Sequence, residues 1–169
     1  MDAIDIGLAM IRIAVGLTFA AHGFNKFFGG GRIPGTGRWF DSIGMRPGRM
    51  QALLAASTEV VAGLLLAAGL LTSFAAAGVV AVMLVAACTV HRDGGFFVNG
   101  NGWEYNMILA AMAVGVAITG PGGLSVDHLL GSAPLFDSWW GLVIGLGGGL
   151  LAGIGLLLAF YRPTTPALA

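Results

Sequence analysis

Apolar residues run through this chain in long uninterrupted blocks. Neither strict alternation nor the stripe of a water-facing helix describes them. A helix crossing a hydrocarbon core about 30 Å thick needs about 20 consecutive, mostly apolar residues. Five blocks meet or approach that length: about Ile4 to Phe28, Met50 to Leu71, Ser73 to His91, Trp103 to Thr119 and Ser138 to Tyr161. Without alternation, the blocks read as helices and not as barrel strands. The pattern therefore predicts an all-α polytopic membrane protein with a single membrane domain over residues 1–169: a four-helix bundle core plus a fifth, C-terminal transmembrane helix. A tight Leu-Thr-Ser turn joins the second and third spans, GPGG stops the fourth, and Arg162-Pro163 stops the fifth.

Composition agrees. The 169 residues are 57% hydrophobic and 9% charged, against roughly a quarter charged in soluble domains. Most of the surface must meet lipid. The 29 glycines lie largely within the apolar blocks, where membrane helices use small residues for close packing. A net charge of zero argues against a nucleic-acid partner. One cysteine, Cys88, excludes an internal disulfide framework and a Cys-x-x-Cys redox motif; it reads as a small packing residue. The acidic start MDAIDIG does not fit a cleaved signal, so the first block is expected to stay.

Charge in the connections sets an expected orientation. The first connection carries Arg32, Arg38, Arg46 and Arg49, with Lys26 at its edge; the third carries Arg92 and the tail Arg162. The N-terminus and fourth connection carry Asp2, Asp5, Asp127 and Asp137, and the second has no charge. Positive residues mark the cytoplasmic side, so the N-terminus is expected outside and the C-terminus inside. RIPGTGRWFDSIGMRPGRM could hold a short interfacial helix around Gly37 to Ile43, or be an irregular surface loop. GFFVNGNGW is expected to fold back onto the bundle.

Ionisable residues inside spans cost roughly 2.5–3.5 kcal/mol each on insertion scales and are functional candidates. Arg12 falls roughly 12 Å below one surface and Glu59 roughly 13 Å above the other, so an Arg12–Glu59 ion pair is the expected solution to both penalties. His22 and Lys26, four apart, share a helix face. His91 and Cys88 end the third span, and Glu104 and Asn106 open the fourth, all at the cytoplasmic level. His22, Lys26, Glu59, His91 and Glu104 therefore form an expected polar site. Each also has a bland reading. Lys26 can snorkel to the interface, His22 can be a core histidine, Arg12–Glu59 can be purely structural, and Glu104 can serve the helix dipole. Arg92 reads as a topology anchor and Asp127 as a turn or cap residue. The three histidines have no metal-ligand spacing, and no phosphate loop or Ser-His-Asp arrangement is present.

These residues also carry a family resemblance. R-x3-G-x2-F-x2-H-G-x2-K from Arg12 to Lys26, E-x3-G-x3-A-x-G-L-L-T from Glu59 to Thr72, His91 with the phenylalanines after it, N-G-x-G-x-E from Asn99 to Glu104 and G-P-G-x2-S-x-D from Gly120 to Asp127 resemble the DoxX family of small bacterial integral membrane proteins. The resemblance covers roughly residues 8 to 128; the fifth span, after Leu135, lies outside it. It implies a four-span core in the bacterial plasma membrane and an assignment near redox chemistry. One relative is associated with a thiosulfate:quinone oxidoreductase, another with a complex linking superoxide removal to sulfur or thiol metabolism.

The leading functional expectation is a membrane subunit of a redox or oxidative-stress complex, quinone- or thiol/sulfur-linked. It would hold no covalent cofactor, bind a quinone at the polar site and work with an oxidoreductase partner. A second reading is a non-enzymatic scaffold. There Gly141, Gly145 and Gly149 of the fifth span form a close-packing face, toward the chain's own bundle or toward a second copy. A small-solute transporter with Arg12–Glu59 as a gate is the third.

Overall fold

In the computed structural model, which describes residues 2–133 and 137–163, the chain is helical throughout. No strand occurs among the described residues apart from an isolated bridge between Met45 and Tyr161. Leu135, beyond which the sequence places its unmatched fifth span, lies outside them. Helix α1 (Ala3–Phe28) starts at Asp2, whose side chain accepts from the Asp5 N–H while Asp5 accepts from the Asp2 N–H. That reciprocal pair satisfies two of the free donors at the helix start. Helix α2 (Arg32–Ser42) occupies the first connection, so this segment is a helix and not an irregular loop, and it begins earlier than expected.

Helix α3 (Gly48–Ala68) ends at Gly69. Gly69 has φ +67, and a Cβ there would strike the Arg12 guanidinium and Ser125, so both the left-handed cap and the space demand glycine. Helix α4 (Thr72–Gly94) runs on through a π turn at Ala87–His91 and a short 3-10 turn. Helix α5 (Glu104–Thr119) is shorter, about 24 Å at 1.5 Å per residue. The segment before it is compact: Trp103 and Glu104 N–H groups donate to the Gly95 and Phe96 carbonyls, and Phe96 packs edge-on against Trp103. One turn, α6 (Val126–Leu129), follows; then α7 (Ser138–Phe160), with a π segment at Leu142–Gly148.

The α1, α3, α4 and α7 helices are each long and apolar enough to cross a membrane; α5 is apolar but shorter. Their polarity is the reverse of a soluble protein's. Arg12, Gln51, Glu59, Thr72, Asn106 and Asp127 are buried, while Ile4, Met10, Leu17, Leu151 and Leu158 face outward. This is the arrangement expected where the solvent is lipid.

The most extensive helix contact is that of α1 with α3. A Cβ on Gly16 would lie 2.5 Å from the Gly63 carbonyl oxygen, and one on Gly63 2.5 Å from that of Gly16. Further along, Gly23 meets Ala56 and Val60 in the same way. The core beneath joins Val15 and Phe19 to Leu66, Val79, Leu109 and Val116. Helix α7 packs outside this group of four, against α4 and α5. Its Gly141, Gly145 and Gly149 lie on Ala117, Ala76 and Val80 of the same chain. Of the two uses expected of this glycine face, packing on the chain's own bundle is the one observed.

The two ends of the bundle differ. At one end the α3–α4 turn and the segment around α6 are stitched together. Asp127 accepts from the Leu71 N–H, the Thr72 N–H and hydroxyl, and the Ser132 hydroxyl. Asp5 accepts from the Gly123 N–H at 2.6 Å. Asp127 is a cap, as expected, but for the distant helix α4. At the other end lie α2, the Gly95–Trp103 segment and the end of α7. There Arg46 N–H donates to the Phe160 carbonyl and Arg162 N–H to the Gly44 carbonyl.

Candidate functional site

The expected Arg12–Glu59 pair does not form. Arg12 donates to backbone carbonyls instead: Ala67 at 3.0 Å and Leu124 at 2.5 Å. Glu59 pairs with Lys26, whose Nζ lies 2.7 and 2.5 Å from its two carboxylate oxygens. The cause is helix register. With Gly16 opposite Gly63 and Gly23 opposite Ala56, Glu59 falls level with about Ala20. That is about eight residues, or ~12 Å, from Arg12, while the end of α3 brings Ala67 beside it. Lys26 lies closer and has a long stem, so the residue that could have snorkelled outward turns inward.

The Lys26–Glu59 pair sits on the wall of a cavity of about 570 Å³ at the α2 end of the bundle. Its wall is mostly apolar and draws on α1, α2, α3, α4, α5 and α7. On α3 the lining residues Gln51, Ala55, Thr58 and Glu59 follow the three-and-four spacing of one helix face. From α1 come His22 and Lys26. Trp39 and Phe40 of α2, and Met45 after it, also line the cavity. The π turn of α4 contributes Thr89, Val90 and His91. Such turns widen a helix locally and recur at functional sites.

Four of the five expected site residues therefore line one cavity: His22, Lys26, Glu59 and His91. The His22 ring lies 6.3 Å from that of Tyr105. His91 Nδ1 is 2.9 Å from the Asn101 carbonyl oxygen. Glu104 is not on the wall. As the first residue of α5 it turns back and accepts from the Val98 N–H at 2.9 Å, holding the preceding segment. Its neighbours Tyr105 and Asn106 take the cavity positions.

Two buried amides complete the wall. Gln51 and Asn106 are 3% and 4% exposed, and each keeps a buried polar atom without a partner, Gln51 Nε2 and Asn106 Oδ1. An unsatisfied buried group costs about 1–3 kcal/mol and calls for a structural or functional reason. Gln51 was absent from the expected site. A polar residue eight positions before Glu59 in an apolar block was the available signal. Among the described residues no group of three or more His, Cys, Asp or Glu is placed to hold a metal ion, and Cys88 is a free, partly buried thiol.

Fold and site together define a polytopic α-helical membrane protein with a polar-tipped cavity inside the bundle. Residues 7–92 match the DoxX family model. The chain is 31% identical over 123 residues to "Putative oxidoreductase CatD" of Bacillus subtilis, covering 73% of this chain and 86% of that one. It is 30% identical over 126 residues to "Inner membrane protein YqjF" of Escherichia coli, covering 75% of this chain and 93% of that one. No solved structure matches it. The chain belongs to the DoxX family.

Proposed function

We propose that this protein is a membrane subunit of a redox system and that its cavity binds a lipid-soluble quinone-type carrier. The observation that carries this reading is the cavity itself: about 570 Å³, apolar on most of its wall, with Lys26–Glu59, His22, Tyr105 and two unsatisfied amides among its polar groups. Ligand sites of this size, apolar with a few fixed polar groups, suit a ring with polar oxygens and an apolar tail. In this reading Lys26 and His22 donate to a ring oxygen, and Glu59 exchanges a proton. The oxidoreductase name of the Bacillus subtilis relative supports a redox role.

The loop charges support placing the cavity in the cytoplasmic leaflet, with the N-terminus outside. Arg32, Arg38, Arg46, Arg49, Arg92 and Arg162 all belong to segments at the cavity end. An oxidoreductase partner would dock at that end.

The test is titration of a short-chain ubiquinone into the purified protein in nanodiscs, followed through tryptophan fluorescence, since Trp39 lines the cavity. Saturable quenching that weakens in His22→Ala and Glu59→Gln is expected. A protein that binds no quinone, and carries none when purified gently from its native membrane, would refute the reading.

A further inference from the structure

The cavity holds an acceptor that an oxidised quinone cannot satisfy. Asn106 is buried in the first turn of α5. Its Nδ2 donates to Met83 Sδ at 3.6 Å. A thioether sulfur accepts and does not donate, so this contact sets which way the amide faces. Asn106 Oδ1 is left as the one buried side-chain acceptor without a partner among the described residues. On the same wall both Glu59 carboxylate oxygens already accept from Lys26.

A quinone ring offers only carbonyl oxygens, so at Asn106 it would set oxygen against oxygen. A hydroquinone offers O–H donors. The unpartnered Gln51 Nε2–H does not discriminate in this way, because an amide N–H serves a carbonyl and a hydroxyl oxygen alike. We infer that the cavity selects the reduced, hydroxyl-bearing form of its carrier over the oxidised form, and that Asn106 is the residue that makes the choice; this rests on the carrier reading above. Asn106 lines the cavity. No chemical step is needed for the preference, which is one of binding.

The experiment compares a short-chain ubiquinol with the matching ubiquinone, under argon. The protein is in nanodiscs, and affinities are corrected for partitioning into empty discs. The expected result is ubiquinol binding about ten-fold tighter, the scale of one buried acceptor satisfied or left bare. In Asn106→Leu the ratio should fall to about one, through loss of ubiquinol affinity. Met83→Leu, close in volume, frees the amide to turn and should lower the ratio while leaving both forms able to bind. If neither form binds, the carrier reading fails and this inference with it. Equal binding, or tighter ubiquinone, overturns the selectivity while leaving the carrier reading standing. A preference that survives both substitutions overturns the assignment to Asn106. Should Asn106→Leu fail to fold, the wild-type ratio and Met83→Leu still decide the matter.

Discussion

Lys26 and Glu59 meet across the α1–α3 interface, with the ammonium bridging both carboxylate oxygens at 2.7 and 2.5 Å. The lysine side chain is 19% exposed and the glutamate 5%. Removing one partner of a buried pair strands the other's charge, typically at a cost of about 3–5 kcal/mol, whereas replacing both with apolar groups is often close to neutral. Lys26→Met and Glu59→Leu should each lower the melting temperature in detergent, and the double variant should recover most of the loss. Losses that simply add in the double variant would show that the two side chains are not coupled.

Arg12 needs no carboxylate. Its bonds to the Ala67 and Leu124 carbonyls tie α1 to the end of α3 and to the segment before α6. Arg12→Lys keeps the charge but loses the fork that spans two carbonyls. A destabilisation of about 2 kcal/mol is expected, and quinone affinity should be unchanged because the site lies at the other end of the bundle. An unaltered melting temperature would contradict this role.

Asp127 predicts how stability follows pH. Burial alone would raise its carboxyl, but hydrogen bonds from the Thr72 N–H and hydroxyl, the Leu71 N–H and the Ser132 hydroxyl outweigh it and hold the group below its ordinary value of 3.8. A carboxyl depressed on folding contributes stability that is complete above its unfolded value and lost as pH falls through the folded one. Wild type should therefore lose stability below about pH 4. Asp127→Asn should be less stable by about 2 kcal/mol near neutrality and show a shallower acid loss. Melting curves across that range, for both proteins, decide it.

The α1–α3 contact predicts a contrast between glycines. Gly16→Val and Gly63→Val place atoms against the facing backbone and should prevent normal packing. Gly147→Ala meets nothing within 4 Å and should be neutral. Equal thermal stability for Gly16→Val and Gly147→Ala would show that the close approach is not needed.

Filling the cavity separates binding from folding. Thr58 lies on its wall, so Thr58→Phe projects a ring into open space. Affinity for either form of the carrier should drop at least about ten-fold, with the melting temperature held within a few degrees. Undiminished binding would place the ligand elsewhere.

Much of this architecture could be read directly from the residues. Low charge and long apolar blocks require lipid as solvent, and the blocks lie within a few residues of the helices found. Connection charges sorted the segments into the two groups that share an end of the bundle, which brought His22, Lys26, Glu59 and His91 together. Pairing was harder. Depth alone set Arg12 near Glu59, but the register imposed by Gly16 and Gly63 depends on backbone contact between two helices, which neither sequence segment reveals alone. The direction of Glu104 was hidden for a similar reason: its partner is a backbone N–H in an irregular segment. The π turn that carries His91 has no compositional mark.

The bridge between Met45 and Tyr161 has a consequence for biogenesis. Met45 lines the cavity, yet its segment is tied down by the Phe160 carbonyl and the Arg162 N–H. In a chain inserted span by span, these bonds form only once the last span is in place, so this part of the cavity wall is fixed last.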